Sequence, residues 1–170
     1  ALVMAYFNNM WRTIVIFMIM GLNMAAVAQS TDQSGKVDSL LQLLAKAKED
    51  TNKVYLLHMI ADQFETSEPA KARYYVGMAG ELSRKLNFEP GLFRYYRHLS
   101  FINAYQSQYD SVLFYNLLLL DLAKSKKDTF NIGVSLFNIG EAYKFLSRYE
   151  KGLEYTLEAV NMLEGKGYTN

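Results

Sequence analysis

Residues 136–163, LFNIGEAYKFLSRYEKGLEYTLEAVNML, contain two helical patterns that are joined by a short turn. In the first pattern, side chains on one helix face recur at the spacing i, i+3, i+4, i+7, in the order Leu136, Ile139, Gly140 and Tyr143. The small residue in this quartet lets a second helix approach closely, and Gly152 and Ala159 follow in the second pattern. The stretch therefore predicts a hairpin of two antiparallel helices.

The same quartet spacing occurs twice upstream, which indicates an internal repeat. It falls on Leu57, Ile60, Ala61 and Phe64 and, more weakly, on Tyr96, Leu99, Ser100 and Asn103. The small-residue position advances by 39 residues from 61 to 100 and by 40 residues from 100 to 140. Periods of this length are typical of arrays in which each unit buries its apolar face against a neighbour.

Leu136 to Leu163 resembles a tetratricopeptide repeat. The resemblance rests on the following residues: Ile139, Gly140, Tyr143, Ser147, Arg148, Tyr149, Gly152 and Ala159. It covers residues 51–164 in three units, and the middle unit departs from the family pattern at Asn103, Val112 and Leu119. The resemblance implies an all-α fold, a right-handed α-solenoid of antiparallel helix hairpins with about three repeats and an N-terminal helix. The period exceeds the family's ~34 residues, so we expect longer linkers at 87–91 and 126–129 to hold the extra residues.

The apolar periodicity also predicts the limits of the helices and units. Seven helices are expected at 36–47, 51–65, 69–86, 90–106, 109–125, 129–146 and 149–164. The repeat units are expected at 51–88, 89–127 and 128–166, after a polar linker and N-terminal helix at 29–50 and before a linker that starts at 167–170.

The last predicted helix carries an apolar surface. Its members are Leu153, Leu157, Val160 and Leu163. Because each repeat relies on a neighbour to bury such a surface, we expect the protein to continue beyond residue 170 into a further repeat. The alternative is self-association of two copies through the C-terminal repeat.

Residues 13–28, TIVIFMIMGLNMAAVA, have the pattern of a secretory signal peptide. The apolar run is short for a ~20-residue membrane span, Arg12 precedes it, and residues 26–28 follow the A-x-A cleavage pattern. Met10 fits a start codon, so residues 1–9 would lie upstream of the true start. We expect residues 1–28 to be removed and the mature chain to be periplasmic or secreted; the alternative is an uncleaved N-terminal anchor.

Composition and motifs argue against several classes of function. The formal net charge of +1 provides no long-range attraction to nucleic acid or an anionic membrane. With no Cys, disulfides, thiolate metal sites and Cys nucleophiles are excluded. The phosphate-binding glycine loop and the common zinc-protease and serine-hydrolase motifs do not occur. We therefore expect a protein that is not an enzyme and has no cofactor.

Arrays of this kind bind partners along the face of the first helix in each unit. The residues predicted on that face, turned away from the packed quartets, are Tyr55, His58, Asp62, Arg94, Arg97, His98, Phe101, Tyr105, Asn138, Glu141 and Lys144. The guanidinium groups of Arg94 and Arg97 suit a carboxylate or another anion. By the resemblance, Asn138 stands where the family places an amide that hydrogen-bonds a peptide backbone. The alternative is that these are ordinary solvated residues.

His58 and His98 are the two histidines of the chain and lie in successive first helices. A metal ion or ligand shared by the two rings is an alternative, but metal sites usually have three or four protein ligands. We therefore expect no metal site, and two polar histidines that face a groove.

Residues 38–41, 50–54 and 56–57 resemble the exported front end of bacterial sensor histidine kinases and signalling regulators that contain these repeats. The resemblance implies a periplasmic sensory or interaction region that binds a protein or peptide. A membrane helix and a kinase or DNA-binding output domain would then follow. The alternatives are a free-standing exported scaffold for envelope assembly and a small-molecule-binding repeat domain.

Overall fold

The computed structural model describes residues 35–164, in which all regular secondary structure is helical. The helices are α1 (35–46), α2 (Thr51–Asp62), α3 (Pro69–Lys85), α4 (Glu89–Tyr105), α5 (Tyr109–Ser125), α6 (Thr129–Phe145) and α7 (Tyr149–Glu164). All seven predicted helices are confirmed to within one residue at each end, except that α2 ends three residues early, at Asp62. The predicted signal peptide and the linker at 167–170 lie outside the described residues.

The helices pack in the order in which they occur in the sequence. Residues 35–42 belong to one compact unit and residues 43–164 to a second. Within the second unit, each helix from α2 to α7 packs against the next one, and α2 also contacts α4. No helix in the described part of the chain is long and apolar enough to cross a lipid bilayer.

Four of the interhelical turns share one backbone structure that recurs every 20 residues. The second residue after α3, α4, α5 and α6 has a φ of 50° to 59°; these residues are Asn87, Ser107, Lys127 and Ser147. Its N–H bonds the carbonyl three residues earlier, and the next N–H bonds the carbonyl five residues earlier. This is the Schellman motif, whose hydrogen bonds offset the ~1–2 kcal/mol that an L-residue loses in the left-handed region.

The connections after α3 and α5 are short and the extra length lies mainly in helices α3 to α6, so the expectation of longer linkers at 87–91 and 126–129 is wrong. Helices α3 to α6 have 17 residues each, and three residues join each of them to the next. Glu89, Pro90 and Gly91 form the first turn of α4. Proline is tolerated there because its missing N–H would have no partner in the first turn of a helix.

The predicted quartets form the interior of the second unit. All four members of the first quartet are buried, as are Leu136 and Ile139 of the third. Val54, Leu57, Ala79 and Leu82 form one apolar cluster between α2 and α3. Another cluster joins α5, α6 and α7 through Leu120, Ala123, Ile132, Leu136, Ile139 and Ala159.

The middle unit packs differently, as its departures from the repeat pattern predict. Asn103 is buried, and its Oδ1 accepts a hydrogen bond of 3.0 Å from Arg73 of α3. Asn116 of α5 is also buried and donates to the hydroxyl of Ser100 on α4 at 2.6 Å. Buried polar contacts therefore add to the apolar packing of α4 and α5 in this unit.

The apolar surface predicted on α7 is present in the structure. Leu153 is 61% exposed, and Leu157 and Val160 are exposed beside it. Leu163, the fourth predicted member, is instead half-buried and lies over Gly133 of α6. That a further repeat or a second copy covers this surface stays a prediction.

Helices α6 and α7 approach closely at two glycines. A Cβ atom on Gly140 would lie 2.4 Å from Thr156 Oγ1 and 2.9 Å from the carbonyl oxygen of Gly152. A Cβ atom on Gly152 would lie 3.0 Å from the carbonyl oxygen of Gly140. A side chain at either position would therefore push the two backbones apart.

We expect Gly140→Ala to lower the free energy of unfolding by about 1–3 kcal/mol, because overpacking a well-packed interface costs that much. Gly77→Ala in α3 is the matched control, since a Cβ atom there meets nothing within 4 Å. The control should stabilise the protein by about 0.5–1 kcal/mol, the advantage of alanine over glycine in a helix. Urea unfolding measures both values, and equal effects of the two substitutions would contradict the close approach.

Candidate binding groove

Helix α4 borders two grooves on the face formed by the first helices. Groove 1, of about 580 Å³, lies between α4 and parts of α2, α5 and α6. Its lining residues are Tyr55, Glu89, Pro90, Phe93, Arg94, Arg97, Leu122, Ala123, Lys126, Asp128 and Asn131. Arg97 also lines groove 2 and is the residue that the two linings share.

Groove 1 carries two guanidinium groups. Arg94 lies over the ring of Tyr55, with its guanidinium carbon 5.2 Å from the ring centre. Neither Arg94 nor Arg97 forms an ion pair with a residue in the described part of the chain. Lys126, by contrast, pairs with Glu89 across the groove. The side of the groove at α4 is therefore positively charged and open to an anionic group.

Groove 2 is smaller, about 220 Å³, and more apolar. It lies between α4, α5 and α6 and is lined by Arg97, Ser100, Phe101, Ala104, Tyr109, Val112, Asn116, Leu119, Asn138, Glu141, Ala142 and Phe145. Phe101 and Phe145 are exposed, and Phe145 stacks on Tyr109 with ring centres 4.5 Å apart. The groove thus combines aromatic surfaces with the amide of Asn138 and the charges of Arg97 and Glu141.

A buried amide forms part of the lining of groove 2. Asn116 is fully buried, and its Nδ2 donates to Ser100 Oγ and to the carbonyl of Val112. Its Oδ1 has no hydrogen-bond partner among the residues that the structure describes. A buried acceptor without a partner costs about 1–3 kcal/mol, so the protein retains a polar group here at a cost to its stability.

Six of the eleven predicted surface residues line the grooves: Tyr55, Arg94, Arg97, Phe101, Asn138 and Glu141. Of the others, Tyr105 is exposed outside both grooves, and Lys144 pairs with Glu141 at 2.5 Å. The prediction missed Phe93, Tyr109, Asn116, Lys126, Asn131 and Phe145. Two of these, Tyr109 and Asn116, belong to α5, and Lys126 directly follows it. These three were missed because the prediction considered first helices alone, whereas α5 contributes to both grooves.

His58, Asp62 and His98, which were predicted on the same face, line neither groove. His58 is 0% and His98 2% exposed, so the expectation that both histidines face a groove is wrong. The two rings stack with centres 4.9 Å apart and planes 7° from parallel. Each ring is covered because α2 and α4 contact each other directly, which a helical wheel of either helix alone does not show.

His58 is held in its neutral form. Its Nε2 donates to the carbonyl of Gly91 at 3.1 Å, and its Nδ1 has no hydrogen-bond partner in the described part of the chain. Burial of the ring, followed by the neighbouring charge of His98, lowers the pKa of His58 to about 3. At neutral pH the ring therefore carries its one proton on Nε2.

Two carboxylates from the end of α2 and the turn after it surround His98. Nδ1 of His98 lies 2.5 Å from Glu65 Oε1, and Nε2 lies 3.8 Å from Asp62 Oδ1. The second distance is too long for a hydrogen bond, and Nε2 has no hydrogen-bond partner among residues 35–164. Sequence reasoning did not place Glu65 beside His98, because the contact joins residues that are 33 apart in the chain.

The buried His58 predicts a pH dependence of stability. In the unfolded chain its pKa is about 6.5, so between pH 6.5 and 3 the unfolded state binds a proton that the folded state does not. Stability contributed by the neutral ring is therefore lost as the pH falls through this window, at up to about 1.4 kcal/mol per pH unit.

His58→Gln is the matched variant, because glutamine keeps a donor for Gly91 and does not titrate. We expect its free energy of unfolding, measured in urea from pH 7.5 to 4.5, to fall less steeply with acidification than that of the wild type. Identical slopes for the two proteins would show that His58 is accessible to protons in the folded state.

No protein-family model, curated protein or solved structure matches this chain.

Proposed function

We propose that residues 51–164 form a tetratricopeptide-type, right-handed solenoid that binds an extended segment of a partner protein in grooves 1 and 2. The observation that carries this proposal is that Arg97 lines both grooves, which places them on either side of one side chain. An extended peptide is a single narrow strand that advances by about 3.3 Å per residue. One peptide laid across α4 would therefore contact both grooves.

The side chains in the grooves suit a peptide with apolar and acidic groups. Phe101 and Phe145 offer exposed aromatic surface, and Arg97 offers five donors in a planar fork. Aromatic and arginine side chains dominate the energetics of most protein interfaces. The half-buried Asn138 adds an amide that can donate to and accept from a peptide main chain.

The proposal is tested by selecting binders from a library of random peptides with the full chain and measuring the affinity of a selected peptide. We expect Arg97→Ala and Phe101→Ala each to weaken binding at least about tenfold, which corresponds to about 1.4 kcal/mol. Fluorescence anisotropy of the labelled peptide gives the affinities.

The matched controls are Arg148→Ala and Tyr74→Ala, which remove an exposed arginine and an exposed aromatic outside both grooves. Both controls should bind as the wild type does. If the selected peptides bind the two groove variants with unchanged affinity, the grooves are not the binding site. If no peptide is selected, the peptide-binding function of this segment is rejected.

We further propose that the protein is exported and serves as the periplasmic sensory or interaction region of a signal-transduction protein. The support is the signal-peptide pattern at 12–28 and the resemblance of residues 38–57 to exported signalling proteins. Binding would then alter the packing between successive hairpins and transmit the change to an output domain.

Export can be tested by expressing the protein in a bacterium and determining the N-terminal residue of the recovered chain. We expect the mature chain to begin at Gln29, because signal peptidase cleaves after the small residue that completes the A-x-A pattern. Recovery of a chain that retains residues 13–28 would contradict cleavage and favour an N-terminal anchor.

A further inference from the structure

The environment of His98 joins three potential metal ligands from two helices and a turn. His98 lies on α4, Asp62 is the last residue of α2, and Glu65 is in the turn that follows α2. The donor atoms of the three side chains lie within 4.8 Å of one another. One imidazole and two carboxylates at this separation are a donor set that binds divalent transition metals in other proteins.

The contact with Glu65 determines which ring nitrogen of His98 is available. A carboxylate only accepts hydrogen bonds, so the 2.5 Å contact places a proton on Nδ1. In the neutral ring, Nε2 then carries a lone pair. A carboxylate that holds the second nitrogen of a histidine is the usual support of a metal-bound imidazole, because it fixes the tautomer and orients the ring.

The remaining nitrogen lacks a partner in either protonation state. Nε2 of His98 is buried and lies 3.8 Å from Asp62 Oδ1, so neither a lone pair nor an N–H on this atom forms a hydrogen bond. A buried polar atom left in this state costs about 1–3 kcal/mol. A cation between Nε2 and the Asp62 carboxylate would satisfy both groups at once.

The distance between Nε2 of His98 and Oδ1 of Asp62 also suits a shared metal ion. Ligand atoms at about 2.1 Å from a tetrahedral Zn²⁺ ion lie about 3.4 Å apart. His98 Nε2 and Asp62 Oδ1 lie 3.8 Å apart, so they would need to approach each other by about 0.4 Å to bind one ion at that bond length. Asp62 can make this movement, because its side chain is 45% exposed and it is the last residue of its helix.

We propose that Nε2 of His98 and the carboxylate of Asp62 bind a divalent transition-metal ion such as Zn²⁺, with Glu65 as a positioning residue and water as the remaining ligand. The ion would connect the C-terminal end of α2 to the middle of α4 and so hold two successive first helices together. The buried imidazole favours a transition metal over Mg²⁺ or Ca²⁺, which prefer oxygen ligands. The site is separate from both grooves, so it does not depend on the peptide-binding proposal.

The test is a calorimetric titration of ZnCl₂ into the metal-free full chain, prepared without a histidine tag. We expect one Zn²⁺ per chain in the wild type and loss of that stoichiometric binding in His98→Gln. Glu65→Gln should weaken binding by about 10- to 100-fold, the usual effect of removing a ligand's partner at a metal site. Asp62→Asn removes the charge of a direct ligand and should weaken binding by at least as much. Nitrogen-15 NMR of the imidazole should show Zn²⁺ on Nε2 of His98 while Nδ1 stays protonated.

Glu68→Gln is the matched control, because Glu68 is a nearby exposed carboxylate that pairs with Lys71 and not with His98. Its affinity for Zn²⁺ should equal that of the wild type. The proposal is overturned if the wild type shows no saturable binding, if Asp62→Asn binds as tightly as the wild type, or if Nε2 of His98 keeps a proton at saturating Zn²⁺. Circular dichroism checks that each variant folds; if His98→Gln does not, the exposed Asp62→Asn decides.

Discussion

The left-handed residue after each helix is the constraint on which the arrangement of α3 to α7 depends. It lets the chain reverse within three residues, so each helix must run antiparallel to the next and lie beside it. Because the motif returns every 20 residues, the joined helices have nearly equal lengths and pack along most of those lengths. The first helices of successive units then share one face, and the two grooves form on that face between α4 and its neighbours.

The features that could be predicted from the sequence are those encoded by local spacing. The quartets predict the helices and their buried faces because a helix brings residues three and four apart together without help from the rest of the fold. The turn structure has no comparable signal, since the left-handed positions hold Asn87, Ser107, Lys127 and Ser147, whereas glycine is the usual marker. For this reason the extra residues were expected in linkers and occur in helices.

The residues of the candidate sites also divide into those that local spacing predicts and those that depend on contacts between helices. The exposed groove residues of α4 and α6 follow from the periodicity of single helices, whereas contributions from α5 depend on how three helices meet. The burial of His58 and His98 results from the contact of α2 with α4, and the proximity of Glu65 to His98 depends on where α2 ends. The two histidines were expected to face a groove without a metal, and these long-range contacts instead bury both of them. We propose that one of them, His98, binds a metal ion.

The packing of helices in sequence order has a further consequence for how the protein acquires its structure. Because the contacts of α2 to α7 join neighbours in the chain, with the one addition of α2 to α4, little loop-closure entropy opposes their formation. Chains with such local topology fold on fast timescales and need not wait for distant segments. A hairpin can therefore begin to form as soon as its second helix is available, and each later helix adds to a surface that already exists.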